Sequence, residues 1–173
     1  FTWATSTQMP APFPLGSETV LPLEFETIAE VLPSSYAKHF VGKWHLGMAA
    51  NISLALGRGY ESFLGGNGGQ IDYYRGTANS NRFYPGQPRS PRAVGPTLGA
   101  ALDFFDGLEP FTQIDAPGDY APDYMVTRAV DVIENLDCTE SLFLSYNDYM
   151  LHTPIQAPLD PDYLSRCSHI DAQ

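Results

Sequence analysis

Three side chains in this sequence are of the right type to hold an anion. Lys43 and His45 stand two apart in Gly42-Lys43-Trp44-His45-Leu46-Gly47, and His152 opens a proline-containing stretch more than 100 residues later. In extended backbone, residues two apart face one side, so Lys43 and His45 are predicted to present two nitrogen donors to one pocket. Lysine offers a compact point charge for an oxyanion, and histidine donates, accepts or shuttles a proton near neutral pH. Fixed donors of this kind suit the anionic oxygens of a sulfate or phosphate ester in a partly dry site. Taken by themselves, a Lys and a His at a strand end are more often ordinary surface or hydrogen-bonded residues, so the surrounding elements decide.

Those elements must place the three residues beyond the carboxyl ends of strands, where open α/β sheets gather ligands. Leu21, Phe25, Ile28 and Leu32 recur at helical spacing, with Pro22 in the first turn and Pro33 as the stop. The short apolar run 37–41 then enters Gly42 and predicts a buried strand. A second helix is predicted from Asp119, with Met125, Ala129, Val132 and Leu136 on one core-facing stripe, Val126, Val130 and Ile133 beside it, and Asp119 or Asp123 as cap. Residues 141–146, Ser-Leu-Phe-Leu-Ser-Tyr, predict another buried strand, followed by a polar loop over 147–161 that contains His152. Helices alternating with apolar strands point to an α/β fold with a largely parallel sheet.

Between these halves, residues 57–102 are dense in Gly and Pro and hold Arg75, Arg82, Arg89 and Arg92, four of the nine basic residues. The segment is predicted to be a long loop, its core at 66–100, and is equally well read as functional or as a solvated excursion. Gly65-Gly66-Asn67-Gly68-Gly69 lacks the following Gly-Lys-Ser/Thr of a phosphate loop and reads as a turn. Residues 1–20, rich in Pro, Ser and Thr, read as an irregular surface segment.

Composition bounds the partners. The 173 residues are 43% hydrophobic and 17% charged, which predicts a packed core. A net charge of -11, from 9 basic against 20 acidic residues, argues against a nonspecific grip on nucleic acid, so an anionic ligand needs a local cationic pocket. No apolar run is long enough to span a bilayer. Cys138 and Cys167 have neither CxxC nor zinc-ligand spacing; they pair in an oxidising compartment or serve as small core residues, the second being preferred. Asn51-Ile52-Ser53 matches a glycosylation sequon, which has meaning only if the protein is secreted by a eukaryote.

The string Gly42-Lys43-Trp44-His45-Leu46-Gly47 resembles a signature of the type I sulfatases, and it has company. Residues 23–32 resemble the helix preceding that signature. Gly59-Tyr60-Glu61-Ser62-Phe63-Leu64-Gly65, Asp72-Tyr73-Tyr74, Ala101-Leu102-Asp103-Phe104 and His152-Thr153-Pro154-Ile155-Gln156-Ala157-Pro158 follow in the order found in arylsulfatase B and its relatives. The resemblance implies an alkaline-phosphatase-like α/β/α sandwich with a largely parallel mixed sheet, of which residues 1–173 are an incomplete part of the N-terminal catalytic domain. It implies a hydrolase of sulfate esters, sulfated carbohydrates or aryl sulfates among them, acting through a formylglycine nucleophile with calcium as cofactor, in a secreted, periplasmic or lysosomal protein.

By the same resemblance Lys43 binds the sulfate and the formylglycine, His45 hydrogen-bonds the formylglycine hydrate, and His152 contacts the sulfate near the leaving oxygen. Departures from the family pattern limit what can be expected. The Cys/Ser-x-Pro-x-Arg segment that yields formylglycine is absent, as are the paired Asp ligands of calcium, so no residue here is assigned to metal and the isolated chain is expected to be inactive. His39 and His169 match no landmark and read as structural or surface histidines. His45 and His152 as zinc ligands lack two identifiable companions. Two alternatives stay open: a noncatalytic sulfatase-like protein that binds sulfated glycans through Lys43, His45 and the arginines of 75–92, and a phosphonate or phosphate monoester hydrolase of the same superfamily.

Overall fold

A computed structural model describes residues 20–47, 50–68, 71, 73–74, 103–114, 119–150, 152, 158 and 165–166. Its elements run α1 (Ile28–Val31), β1 (Tyr36–Gly42), two single 3₁₀ turns (Asn51–Ser53 and Leu56–Arg58), β2 (Ser62–Gly65), β3 (Phe105–Asp106), β4 (Glu109–Pro110), α2 (Ala121–Glu134) and β5 (Ser141–Asn147). The sheet order is β4-β3-β2-β1-β5. β1 is parallel to both β2 and β5, pairing Phe40 with Phe63 and with Ser145, whereas β3 and β4 add an antiparallel edge. The expected α/β fold with a mixed, parallel-centred sheet is therefore observed.

Strand alternation explains how the sheet is covered on both faces. Val41, Leu64 and Leu144 pack with Tyr73, Phe104, Tyr120, Met125 and Tyr149, against which α2 lies. Their neighbours Phe40, Phe63 and Phe143 pack on the other face with Ala29, Trp44, Ala55 and Tyr60. There Phe40 meets Trp44 and Tyr60 edge-on, each at 5.2 Å between ring centroids. Edge-to-face pairs of this kind contribute roughly 0.5–1.5 kcal/mol beyond the area they bury.

Several expectations are corrected. The first helix is one turn, not the full 21–32. Thr27 caps it in a reciprocal box with Glu30, Lys38 Nζ donates to the carbonyls of Ala29 and Leu32, and Pro33 follows. The preceding carbonyls of Leu21 and Phe25 are taken instead by the buried guanidinium of Arg58, which also pairs with Glu30 at 3.0 Å. A side chain distant in sequence thus replaces the helical bonds of 21–25. The long loop expected from residue 57 holds β2 at its start, and the β3–β4 pair was not foreseen. Two-residue strands carry no periodicity to read.

On α2, Met125 is buried, but Val126, Val130 and Ile133 are exposed, so only the first stripe faces the core. Neither acid caps it: Tyr120 is the N-cap residue and makes no capping bond with its side chain, and Asp119 accepts from the Tyr124 hydroxyl. Cys138 is exposed rather than a core residue. Residues 1–19, nearly all of 69–102 with Arg75, Arg82, Arg89 and Arg92, and Cys167 and His169 lie outside the described residues, so the expectations that fall on them do too.

Candidate functional site

β1 and β5 run side by side and end together at Gly42 and Asn147. Gly42 has φ 112°, and a Cβ there would lie 1.9 Å from the Asn147 carbonyl oxygen, so only glycine lets the two strand ends approach this closely. The chain leaving β1 is then tied on both sides. Lys43 N–H donates to Asn147 O at 2.7 Å, Trp44 N–H to Gly66 O at 3.0 Å and His45 N–H to Asn67 O at 3.1 Å. Trp44 is drawn into the aromatic cluster, its indole N–H donating to Ser53 O at 2.8 Å.

His45 has φ 53°, in the left-handed region that few non-glycine residues occupy. The extended backbone assumed for 43–45 is thereby corrected, because alternation does not run through such a residue. Lys43 and His45 are nonetheless brought together by the turn itself. Burial lowers the pKa of Lys43. Burial also lowers that of His45, and the positive charges of Lys43 and His152 lower it further. Lys43 and His45 leave the end of β1, and the turn that presents His152 follows the end of β5 beside it. His45 is held toward its neutral form near pH 7, able to donate and to accept.

His152 is exposed, and its backbone is fixed from two sides. Its N–H donates to Tyr149 O at 3.0 Å, and its carbonyl accepts from the Tyr73 hydroxyl at 3.1 Å. The same hydroxyl donates to Tyr149 O. Burial, with the charge of Asp148 adding to it, pushes the Tyr73 pKa up to about 12, so it remains a donor. Asp103, 1% exposed, accepts the amides of Asn67 and Gly68 at 3.1 and 2.9 Å. Burial raises its pKa to about 6 against the opposing effect of those two bonds.

Tyr73, Asp103 and Tyr149 were given no role by the sequence. Asp103 carried a usable signal, an acid set between Leu102 and Phe104 in an otherwise apolar run. Tyr73 stood in the Asp72-Tyr73-Tyr74 landmark without a role attached, and Tyr149 carried no signal, since buried tyrosines are common in cores.

The remaining candidates lie elsewhere. His39 Nδ1 is bonded to Ser62 Oγ at 2.7 Å, in keeping with a structural histidine. Asn51 is exposed on its 3₁₀ turn. A cavity of about 370 Å³ near the amino ends of β1 and β5 is lined by His39, Glu61, Asp131, Asp137 and Glu140, the wrong sign for an anion. Among the described residues no group of three or more His, Cys, Asp or Glu comes together to hold a metal ion. Lys43, His45 and His152 offer no carboxylate or carbonyl side-chain oxygen, so none of them is a ligand for the calcium that the resemblance implies.

No protein-family model matches the chain. It is 29% identical over 143 residues to arylsulfatase J of Mus musculus, a match covering 80% of this chain and 21% of the relative. Its fold is similar to the crystal structure of Ps i-CgsB, with a TM-score of 0.65 at 18% identity, over 93% of this chain and 34% of that one. A second crystal structure, of Ps i-CgsB in complex with k-i-k-neocarrahexaose, matches with a TM-score of 0.63 at 20% identity. The chain spans about a fifth of the curated relative it matches. The resemblance to the sulfatases that the motifs carry is met by this independent sequence match.

Proposed function

We propose that this chain is part of the catalytic domain of a sulfatase, a sulfuric ester hydrolase, and that its contribution is an anion cradle made of Lys43, His45 and His152. The observation that carries this reading is that two adjacent parallel strands end together at Gly42 and Asn147, so that Lys43 and His45 follow one strand end and the turn presenting His152 follows the other. A sulfate ester keeps its negative charge on peripheral oxygens, and fixed cationic donors in a partly desolvated site stabilise that charge as it redistributes.

Each residue has a task in this reading. Lys43 supplies a permanent charge to the sulfate oxygens. His45, mostly neutral at pH 7, hydrogen-bonds the nucleophile's hydroxyl and can hold its proton. His152, on the exposed side, faces the bridging oxygen and can donate to it as the alcohol leaves. The formylglycine nucleophile belongs to the longer protein. Similarity to arylsulfatase J supports the sulfate-ester class. The complex of Ps i-CgsB with k-i-k-neocarrahexaose supports a carbohydrate substrate. A secreted, periplasmic or lysosomal location is proposed with the family.

The test is turnover of a chromogenic aryl sulfate by the longer protein. Lys43→Ala is expected to lower kcat/KM by about 10² or more, as for loss of one preorganised oxyanion donor. Unchanged turnover in a folded variant would overturn the cradle. Retained binding of sulfated oligosaccharide with no turnover by the unaltered protein would favour a glycan-binding role instead.

A further inference from the structure

Asp103 lies just before β3, yet both of its carboxylate oxygens are spent on the stretch that leaves β2, accepting the consecutive amides of Asn67 and Gly68. That stretch in turn offers its carbonyls to the cradle, Gly66 O to the Trp44 amide and Asn67 O to the His45 amide. Tyr149 grips it from another direction, its hydroxyl donating to Gly66 O at 2.9 Å and Gly68 O at 3.2 Å. The packing is close: a Cβ on Gly66 would lie 2.3 Å from Tyr149 Oη and 2.6 Å from Asp103 O. A buried carboxylate is retained against its desolvation only where hydrogen bonds satisfy it, and here two adjacent N–H groups need two acceptors. Asparagine offers one acceptor and sets an NH₂ donor against the other amide.

We propose that Asp103 is a positioning residue for His45: by fixing residues 66–68 it holds the Asn67 carbonyl on the His45 amide and so keeps that residue in its left-handed conformation. Sparsely populated backbone conformations persist where their surroundings over-determine them. The chain from Asp103 through Asn67 to His45 is such a constraint, and it reaches His45 without touching substrate. The inference rests on the proposed role of His45.

A double-mutant cycle in the longer protein, assayed with a chromogenic aryl sulfate, tests it. Asp103→Asn is expected to lower kcat/KM about 10- to 100-fold, the range for losing a hydrogen bond to a charged group. In a His45→Ala background the same change is expected to cost less than about threefold, because the group it positions is gone. Equal losses in both backgrounds overturn the positioning role and leave the cradle standing. No loss on His45→Ala alone overturns the cradle and this inference with it. If Asp103→Asn does not yield folded protein, Tyr149→Phe goes through the same cycle, since it keeps the ring and removes the two bonds to Gly66 and Gly68. A loss confined to the His45 background supports the proposal, and an equal loss in both rejects it.

Discussion

The Tyr73 hydroxyl donates to the main-chain carbonyl of His152 at 3.1 Å, across 79 residues of sequence. It binds the Tyr149 carbonyl as well, so one buried phenol pins both ends of the turn that presents His152 after β5. The ring is itself fixed edge-on against Tyr120, at 5.9 Å between centroids.

Tyr73→Phe keeps that ring and deletes the donor. Stability is expected to fall by about 0.5–1.5 kcal/mol, the net value of a hydrogen bond, because the Tyr149 carbonyl keeps the His152 amide and the His152 carbonyl lies on the exposed side. If the hydroxyl also aims His152, kcat/KM of the longer protein falls about tenfold, with much less effect when His152 is already Ala. Denaturant unfolding beside aryl sulfate kinetics separates the two. A lower stability with untouched kinetics would show that Tyr73 serves the fold alone.

The two histidines on and after the parallel strands are expected to differ sharply. His152→Ala should lower kcat/KM by about 10² or more, as for a lost transition-state donor. His39→Ala removes a bond to Ser62 on a neighbouring strand and should leave kcat/KM within about threefold, because it touches no part of the cradle. Comparable losses at both positions would mean that the assay reports folding.

Anion binding should depend on pH with a definite sign. His45 is depressed below its ordinary value by burial and then by two positive neighbours, and a bound sulfate offsets that repulsion. The imidazole therefore takes up a proton more readily in the complex, and sulfate affinity rises as pH falls through the range below about 6.5. The same depression makes the His45 contribution to stability complete above about 6.5 and lost as pH falls through the folded value. Calorimetric titration with sulfate from pH 5 to 8 checks the first point. His45→Gln should flatten the slope, and an unaltered slope would assign the proton to another group.

Asp103 works in the opposite direction. Its pKa rises from 3.8 to about 6 in the fold, so the native state holds a proton that the unfolded chain releases. Its stabilising share is present below 3.8 and is lost as pH rises through about 6, an effect of about 3 kcal/mol at 1.36 kcal/mol per unit. Relative to Asp103→Asn, the unaltered protein should therefore lose stability between pH 4 and pH 7, by up to that amount. Thermal or urea unfolding at both pH values decides it, and a difference independent of pH contradicts the shift.

Some of this was written in local sequence. The apolar runs 37–41 and 141–146 became β1 and β5, but only β1 is buried as expected: β5, at one end of the sheet among the described strands, is half-buried to exposed along its length. Lys43, His45 and His152 were identifiable by type and by the Gly42–Gly47 and His152-Thr153-Pro154 strings. Met125 marked the buried side of α2, since helical periodicity is a local property.

Tertiary structure decided what no short window contains. Which strands are neighbours depends on pairing across about 100 residues, and that pairing alone brings Lys43 and His152 to one end of the sheet. The left-handed backbone of His45 occurs where Gly66 and Asn67 bond to the amides of 44–45, partners that no short window around His45 contains. The first helix shrank to one turn because Arg58 claimed the carbonyls before it. Asp103, Tyr73 and Tyr149 acquired roles only when the fold buried them, because a buried polar group must find partners and the partners within reach were the loops carrying the cradle.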